Sequence, residues 1–496
     1  MQYHHIGNAS VPTESGRTIP VLDPSDGQAF DELQRGSPQD IDLAVRSARE
    51  CQDSVWSKLS AAERGRLLMR LSGSVLQHAD ELTAIEQRDC GKPTRQARAD
   101  ALALARYFEF YAGACDKLHG ETLPYQQGYS ALTWREPHGV TGHIVPWNYP
   151  MQILGRSVGA ALAAGNTCVV KPSEDACLSV LRVARLATEV GFPAGAFNVV
   201  TGLGHEVGEA LARHPGVDHL SFTGSPGVGT LIQQAAAERH CPVTLELGGK
   251  SPQIVFADAD LDAAVPAIVN AIVQNAGQTC SAGSRLLVPR ARLDEAVAAA
   301  RSACEGVTVG DPHADVAMGP VVSKAQWNIV VMHQPVYTCA RPDDTEPLKA
   351  AWQPLLERYK VDLVLQGHDH CYSRLSNENG RAAAKQAHTA GKGQGPVYMV
   401  SVAGSKMYGL NDRAHQQPDR SAEETQLYQT VEVGASRLEV RSYTAAGRLY
   451  DAFDLSRDKQ GRNRLSEPAK HLPAERFCTG EQGPDQLPCK SRDKSL

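Results

Sequence analysis

His219-Leu220-Ser221-Phe222-Thr223-Gly224-Ser225-Pro226-Gly227-Val228-Gly229 reads as an apolar strand, a tight turn and the start of a helix. Ser225 suits an N-cap and Pro226 the first helical position. The free N–H groups of such a helix end favour a phosphate. The glycines are out of register with G-x-G-x-x-G, so the turn alone does not name a ligand. Upstream, residues 166–174 (Asn-Thr-Cys-Val-Val-Lys-Pro-Ser-Glu) form a buried strand ending in Lys171-Pro172-Ser173-Glu174. A helix over 176–190, a strand over 196–200 and a second helix to about His214 fill the interval. Strand and helix alternate, which predicts a parallel, Rossmann-like α/β sheet. Charged groups at the carboxyl end of such a strand sit where open sheets bind ligands. The alternative for Lys171 and Glu174 is a surface ion pair.

Toward the N-terminus, residues 1–40 carry turn residues between short apolar runs. From Asp40, read as an N-cap, apolar residues recur at Ile41, Ala44, Val45 and Ala48 with helical spacing. Further helices are expected at 61–78, 79–89 and 94–117. The stretch from His119 to Gly142 reads as extended strands with turns at Gly120 and Gly128. Gly142-His143-Ile144-Val145-Pro146-Trp147-Asn148-Tyr149-Pro150 is a strand entering a loop closed by two prolines. The Asn148 amide could donate to an oxyanion or simply shape a turn. Tyr149 could wall a site for a cationic group or serve plain packing.

Toward the C-terminus, Asn275-Ala276-Gly277-Gln278-Thr279-Cys280-Ser281-Ala282-Gly283-Ser284-Arg285 sets one cysteine among small and polar residues. Glycines let the backbone approach a ligand closely. A cysteine is often a small buried hydrophobe. Here Leu245-Glu246-Leu247-Gly248-Gly249-Lys250-Ser251-Pro252 adds one acidic residue in an apolar run broken by two glycines. Together they offer a nucleophile and a general base.

These last two segments, with their separation along the chain, resemble the active-site glutamate and cysteine signatures of the NAD(P)-dependent aldehyde dehydrogenases. The resemblance covers residues 1–326. It implies that Cys280 attacks an aldehyde carbonyl, with Asn148 and the Cys280 backbone N–H holding the oxyanion. Glu246, partly desolvated, would activate water against the thioester. Cofactor contacts are implied at Pro146, Trp147, Lys171, Ser173, Glu174, Gly224, Ser225, Gly229, Leu247 and Gly248. Glu174 would accept the ribose hydroxyls and repel a 2′-phosphate, so NAD is expected over NADP. The implied domains are an NAD-binding domain over 1–237 and the N-terminal part of a catalytic domain over 238–326. A hairpin over 119–142 would reach toward a partner subunit. The Glu-x-Phe motif and the remaining catalytic sheet of the family are not found in the sequence.

From Trp327 the pattern changes. Asn328-Ile329-Val330-Val331-Met332-His333 and Val361-Asp362-Leu363-Val364-Leu365-Gln366-Gly367-His368-Asp369-His370 are two apolar strands, each ending in histidine, with a helix over 348–359 between them. A metal site or a solvated loop fits this β-α-β unit. Val330/His333 and Gly367/His368/His370 resemble the last two blocks of the calcineurin-like metallophosphoesterases, closest to purple acid phosphatases. That resemblance implies a partial α/β sandwich over 327–456, with His333 and His368 on one divalent metal and His370 on another. The family's earlier aspartate blocks have no counterpart here. Strands are expected at 396–403, 427–433 and 436–443, and a polar, disordered tail over 457–496. The chain therefore reads as a chimera or fusion joined near residue 326, with a dehydrogenase by descent in front. Its activity is open to loss through truncation. The alternatives are a phosphoesterase and a non-catalytic product.

Composition agrees with an ordinary globular chain. The 496 residues carry a net charge of −6, spread along the sequence, so no nucleic-acid partner is expected. No run of 18 apolar residues suggests a membrane span, and the polar N-terminus is unlike a signal peptide. The 12 cysteines show no metal-type spacing and fit reduced thiols in a cytoplasm. Cys478 and Cys489 stand apart, as a disulfide pair or two unpaired thiols. The partners expected are a small aldehyde and, by the family, further copies of the chain, with assembly impaired. Exposed sheet edges would lower solubility.

Overall fold

The computed structural model describes residues 1–322, 327–358, 360–376, 396–401, 404, 406–415, 418–434, 437–457, 463–467 and 472–478. The chain divides into two units, Met1–Lys324 and Ala325–Leu496.

The first unit is built on a seven-stranded sheet. Its strands are β1 (His4–Ile6), β2 (Ala9–Val11), β7 (Val140–Val145), β8 (Thr167–Pro172), β9 (Phe197–Val199), β10 (His219–Gly224) and β11 (Val243–Leu247), in the order β11-β10-β7-β8-β9-β1-β2. The five from β11 to β9 are mutually parallel, and β1 and β2 close the edge antiparallel. Side chains alternate across the sheet with period two. In β8, Cys168 and Val170 face one core and Val169 the other. The first core is covered by α2 (Ala61–Gln77), α4 (Thr94–Ala114), α5 (Pro150–Ala163) and α6 (Leu178–Glu189) through Leu68, Leu104, Phe108, Leu154, Val158 and Leu181. The second is covered by α1 (Pro38–Ser54), α7 (Glu209–Arg213) and α8 (Pro226–Ala237) through Ile41, Val45, Leu211 and Ile232. Burial on both faces explains why β8 reads as an unbroken apolar run.

Two local expectations are corrected. Asp40 is not the N-cap of α1. Ser37 is, and Asp40 sits three residues in, where its carboxylate accepts from the Ser37 N–H at 2.8 Å. A carboxylate placed there completes a capping box instead of starting the helix. The second helix in the 200–214 interval opens with a π-turn over Gly204–Gly208 before α7.

Four short strands flank this frame as two hairpins, β3 (Thr18–Leu22) with β4 (Ala29–Gln34) and β5 (Thr122–Leu123) with β6 (Ala131–Leu132). α3 (Ala79–Cys90) leads into α4 through Gly91-Lys92-Pro93. After β11 the described residues of the first unit form one further sheet, the parallel pair β12 (Pro252–Ile254) with β13 (Arg285–Leu287). Helices α9 (Leu261–Val273) and α10 (Leu293–Glu305) pack on it around Leu261, Val265, Val269 and Ala296. Ile254, Phe256 and Leu287 remain exposed there. A two-stranded sheet with open edges and bare apolar side chains is short of partners.

In the second unit, β14 (Ile329–Met332), β15 (Leu363–Gln366), β16 (Tyr372–Leu375), β17 (Val397–Val400) and β18 (Arg420–Ala422) form a sheet in the order β14-β15-β17-β16-β18, parallel at its β14-β15-β17 side. Helix α11 (Glu346–Arg358) connects β14 to β15. An antiparallel meander follows, β19 (Leu427–Val433), β20 (Arg437–Thr444), β21 (Leu449–Arg457) and β22 (Asn463–Ser466). Leu363, Val397 and Met399 from the first sheet share a core with Leu438, Val440, Phe453 and Leu455 from the second. Arg374, fully buried, ties the sheets through Asp451 at 2.8 Å.

Two expectations fail in this unit. The tail is not wholly without structure. β22 pairs with β21, and the Phe477 ring lies 5.0 Å from that of His415. Nor are the thiols all reduced. Cys339 and Cys371 are joined in a buried disulfide. Their spacing of 32 residues carries no motif, and only the return of β16 beside the loop after β14 brings them together. Cys478 is also disulfide-bonded. Cys489, Tyr359, Ala435 and most of the 457–496 stretch lie outside the described residues.

Candidate active site

The residues singled out for a cofactor gather at one end of the first sheet. Pro146 and Trp147 follow β7, and Lys171, Ser173 and Glu174 end or follow β8. Gly224 and Ser225 close β10, and Leu247 and Gly248 close β11. These four strands are neighbours and parallel, so all nine positions lie at their carboxyl ends, the ligand end of such a sheet.

Local chemistry fixes several of them. The Lys171 ammonium is buried and bonds the Glu174 carboxylate at 2.6 Å. Burial works to raise the Glu174 carboxyl, but the Lys171 charge and hydrogen bond outweigh it and hold the group below its ordinary value. Ser225 caps α8 by accepting from the Val228 N–H at 3.4 Å, with Pro226 at the first position as the sequence predicts. Gly229, the tenth position, lies in the first turn of α8, where a Cβ would come within 2.7 Å of the Leu247 side chain. The donor set suits a dinucleotide: a carboxylate beside an ammonium, and a capped helix start where only glycine fits against its neighbour.

Three segments converge on Cys280. Asn148 Nδ2 donates to the Gln278 carbonyl at 2.8 Å, and Asn275 Nδ2 donates back to the Asn148 carbonyl at 2.9 Å. The Tyr149 hydroxyl and Thr279 Oγ1 are 2.9 Å apart. A Cβ on Gly249 would lie 3.7 Å from the Cys280 carbonyl oxygen, so the Glu246–Gly249 turn also reaches this loop. The loop enters through three consecutive left-handed residues, Asn275 (φ 50°), Ala276 (φ 54°) and Gly277 (φ 78°). Alanine rarely adopts that conformation, and the buried Asn275, whose N–H donates to Gln96 Oε1 at 3.0 Å, holds it there.

Cys280 is exposed, and it opens on a cavity of about 210 Å³ lined by Tyr107, Tyr149, Gln152, Arg156, Thr279 and Ser281 among others. Cys168, by contrast, is buried in β8, and burial pushes its thiol up to about 12. Among the described residues, no histidine lines the Cys280 cavity, and Arg156 is the one permanently charged residue that does. It also borders a second cavity of about 340 Å³, shared with Glu246, His143 and His219.

One expectation about these residues changes. Glu246 is not desolvated: its side chain is 54% exposed, and its nearest cation is Arg156 Nη2 at 4.0 Å. Among the described residues β11 is the edge strand of its sheet, so no neighbouring strand covers its outer side. Of the two alternatives for Tyr149, packing has a partner within the protein, although the residue also lines the Cys280 cavity. The cation at its ring is Lys92, whose Nζ stands 4.2 Å from the ring centroid.

Sequence reasoning passed over Lys92 and Arg156. Lys92 sits in the short Gly91-Lys92-Pro93 junction, and its partners Glu86 and Asp100 follow no helical spacing. Arg156 left a usable signal, a single charge within the otherwise uncharged helix α5.

In the second unit, His333 Nε2 and His368 Nδ1 are 3.0 Å apart, so these two do meet. His370 does not join them; its Nδ1 bonds the Lys406 carbonyl at 2.6 Å. The neighbouring Asp369 is occupied by the Cys339 and Ala340 N–H groups at 2.9 and 3.0 Å. Among the described residues, the one grouping of three potential ligand atoms is Cys339, Asp369 and Cys371, and both its sulfurs are in the disulfide. A two-metal centre needs bridging oxygen donors. The residues present do not fit it.

A Rossmann-like sheet with a cysteine loop latched beside its ligand end defines the first unit as an oxidoreductase-type nucleotide fold. The chain belongs to the aldehyde dehydrogenase family, which it matches over residues 11–334. It also matches the calcineurin-like phosphoesterases over residues 310–372. A hydroxyisobutyraldehyde dehydrogenase from Mycolicibacterium austroafricanum is 43% identical over 350 residues, 69% of each chain. A crystal structure from Burkholderia cenocepacia, assigned as an aldehyde dehydrogenase, is 66% identical with a TM-score of 0.65, covering 65% of this chain and 68% of that one. PnpE from Pseudomonas sp. WBC-3, solved in complex with nicotinamide adenine dinucleotide, is 40% identical with a TM-score of 0.64, covering 65% and 66%. The chain spans 62–69% of the length of the curated relatives it matches. It resembles NAD-dependent aldehyde dehydrogenases, and no described helix is long and apolar enough to cross a membrane.

Proposed function

We propose that the first unit binds NAD and oxidises a small aldehyde to its acid through Cys280. What supports this best is the convergence just described: cofactor-type residues line four adjacent strand ends, and the Asn148 and Cys280 loops are hydrogen-bonded to each other beside them. The Cys280 thiolate adds to the aldehyde carbon. The second Asn148 amide hydrogen and the Cys280 backbone N–H stabilise the oxyanion. A bound nicotinamide supplies the hydride acceptor. Glu246 then takes a proton from the water that attacks the Cys280 thioester, releasing the acid and the free thiol. Glu174 beside Lys171 leaves no room for a 2′-phosphate charge, which favours NAD over NADP.

The charge lining the cavity bears on the substrate. Arg156 disfavours a quaternary ammonium or amino aldehyde and favours an aldehyde that carries a carboxylate. The exposed, unsupported Glu246 and the two-stranded β12–β13 sheet point to slow turnover, or none. We assign 1–237 to cofactor binding, 238–326 to a partial catalytic domain, 327–456 to a phosphoesterase remnant and 457–496 to a tail, a fusion joined near 326. The metal mismatch argues against phosphoesterase chemistry. The β5–β6 hairpin bares Tyr125, Tyr129 and Trp134, which suits contact with a second copy. A cytoplasmic setting fits the five buried, free cysteines of the first unit, while the Cys339–Cys371 disulfide of the second argues the other way. NADH formation from NAD and a panel of carboxy, neutral and trimethylammonio aldehydes tests the reading. Turnover that survives Cys280→Ala would refute it.

A further inference from the structure

We infer that Lys92 is a positioning residue for Cys280; the inference rests on the dehydrogenase reading only in naming Cys280 as the reacting group. Lys92 is fully buried. Its ammonium donates to Glu86 Oε1 at 2.9 Å and to Asp100 Oδ2. Burial and the two carboxylates push in opposite directions on Lys92, and the carboxylates prevail, so it stays charged. Two walls of the Cys280 cavity hang from this cluster. The Tyr149 ring lies on the Lys92 ammonium, and the Tyr149 hydroxyl bonds Thr279, the residue before Cys280. Gln152 Nε2 donates to the other Asp100 oxygen at 2.5 Å. Next to Lys92, the Cys90 thiol donates to the Trp147 carbonyl at 3.4 Å, which anchors the Asn148 loop as well.

A lysine kept at this depth needs two carboxylates to hold it there, and a core of apolar residues would serve packing equally well. What the ammonium adds is direction. Among the described residues it is the one cation facing the Tyr149 ring, and a ring held by its face keeps the hydroxyl pointed at Thr279. The cluster therefore sets the position of the Cys280 loop from beneath, without touching substrate.

Hydrogen exchange of the full chain, resolved by peptide, tests this. Lys92→Met keeps the volume and removes the charge; Lys92→Arg keeps the charge. Tyr149→Phe keeps the ring and removes the hydroxyl. Exchange over 276–284 should rise about fivefold in Lys92→Met and Tyr149→Phe, with strand 167–172 unchanged. Lys92→Arg should return it toward the parent, and the Lys92→Met/Tyr149→Phe double variant should add nothing further. Equal exchange of 276–284 in parent, Lys92→Met and Tyr149→Phe overturns the proposal, as does a better rescue by Met than by Arg. Should Lys92→Met not fold, Tyr149→Phe and Gln152→Leu decide it on the same peptide. NADH formation is a separate reading: its absence with intact loop protection rejects the dehydrogenase and leaves Lys92 in place.

Discussion

Arg156→Gln should remove a charge preference at Cys280 that needs no turnover to see. Iodoacetate and iodoacetamide present the same carbon and the same leaving iodide to a thiolate and differ only in charge. Among the described residues, Arg156 is the one permanent charge lining the Cys280 cavity. It is 41% exposed, and Glu246 stands 4.0 Å away and offsets part of its field. A pair so exposed is worth about 0.2–1 kcal/mol, which converts to a rate bias of about 1.4- to fivefold. The bias should shrink as salt rises, since exposed charges are screened beyond about 10 Å at 0.1 M. Alkylation would be followed by mass spectrometry at two peptides. Cys304, exposed on α10, is the internal reference. The iodoacetate-to-iodoacetamide ratio at Cys280 should exceed that at Cys304 in the parent and fall to it or below it in Arg156→Gln, where Glu246 is left unopposed. Glu246→Gln should raise it. Taking a ratio cancels any effect of the substitutions on the thiolate itself. Equal ratios at the two cysteines in the parent, or a bias that survives Arg156→Gln, would refute the role given to Arg156.

Breaking the buried Lys92 cluster should also cost stability. Lys92→Met strands two carboxylates, about 3–5 kcal/mol, which for the 324 residues of Met1–Lys324 lowers its Tm by about 6 °C; a calorimetric shift near zero would contradict it. Burial pushes the Asp89 carboxyl up to about 8. Its folded value thus lies above its unfolded one, so the stability it contributes is full below about pH 4 and is lost as pH rises through about 8. Melting curves across that range should fall less steeply in Asp89→Asn than in the parent, and parallel curves would count against the assignment. Among the described residues the His333–His368 pair has no carboxylate grouped with it, so protein dialysed against a divalent metal and then buffer should retain less than one equivalent; stoichiometric metal by emission spectrometry would overturn the mismatch.

How much of this was legible beforehand divides along physical lines. The strand ends were legible because fully buried parallel strands are continuous apolar runs, and what interrupts them, such as Lys171 and Ser225, marks the ligand end. The Ser225-Pro226 helix start was legible because capping is a local code. Asp40 was misplaced by three residues because an acid serves the cap and the first turn equally well. Glu246 misled for a different reason. Its burial depends on whatever packs beyond β11, and no local pattern reports that. Lys92, Glu86 and Asp100 come together only once α3, α4 and α5 pack, and Cys339 meets Cys371 only once β16 folds back. Long-range pairings of this kind leave little trace in a single sequence.

The account stands on the first unit assembling a working cofactor end. Calorimetric titration of the full chain with NAD and with NADP tests that most directly. Saturable binding of one NAD per chain, weaker for NADP and with the two cofactors brought closer by Glu174→Gln, is the predicted result. A folded protein that takes up neither cofactor would contradict it.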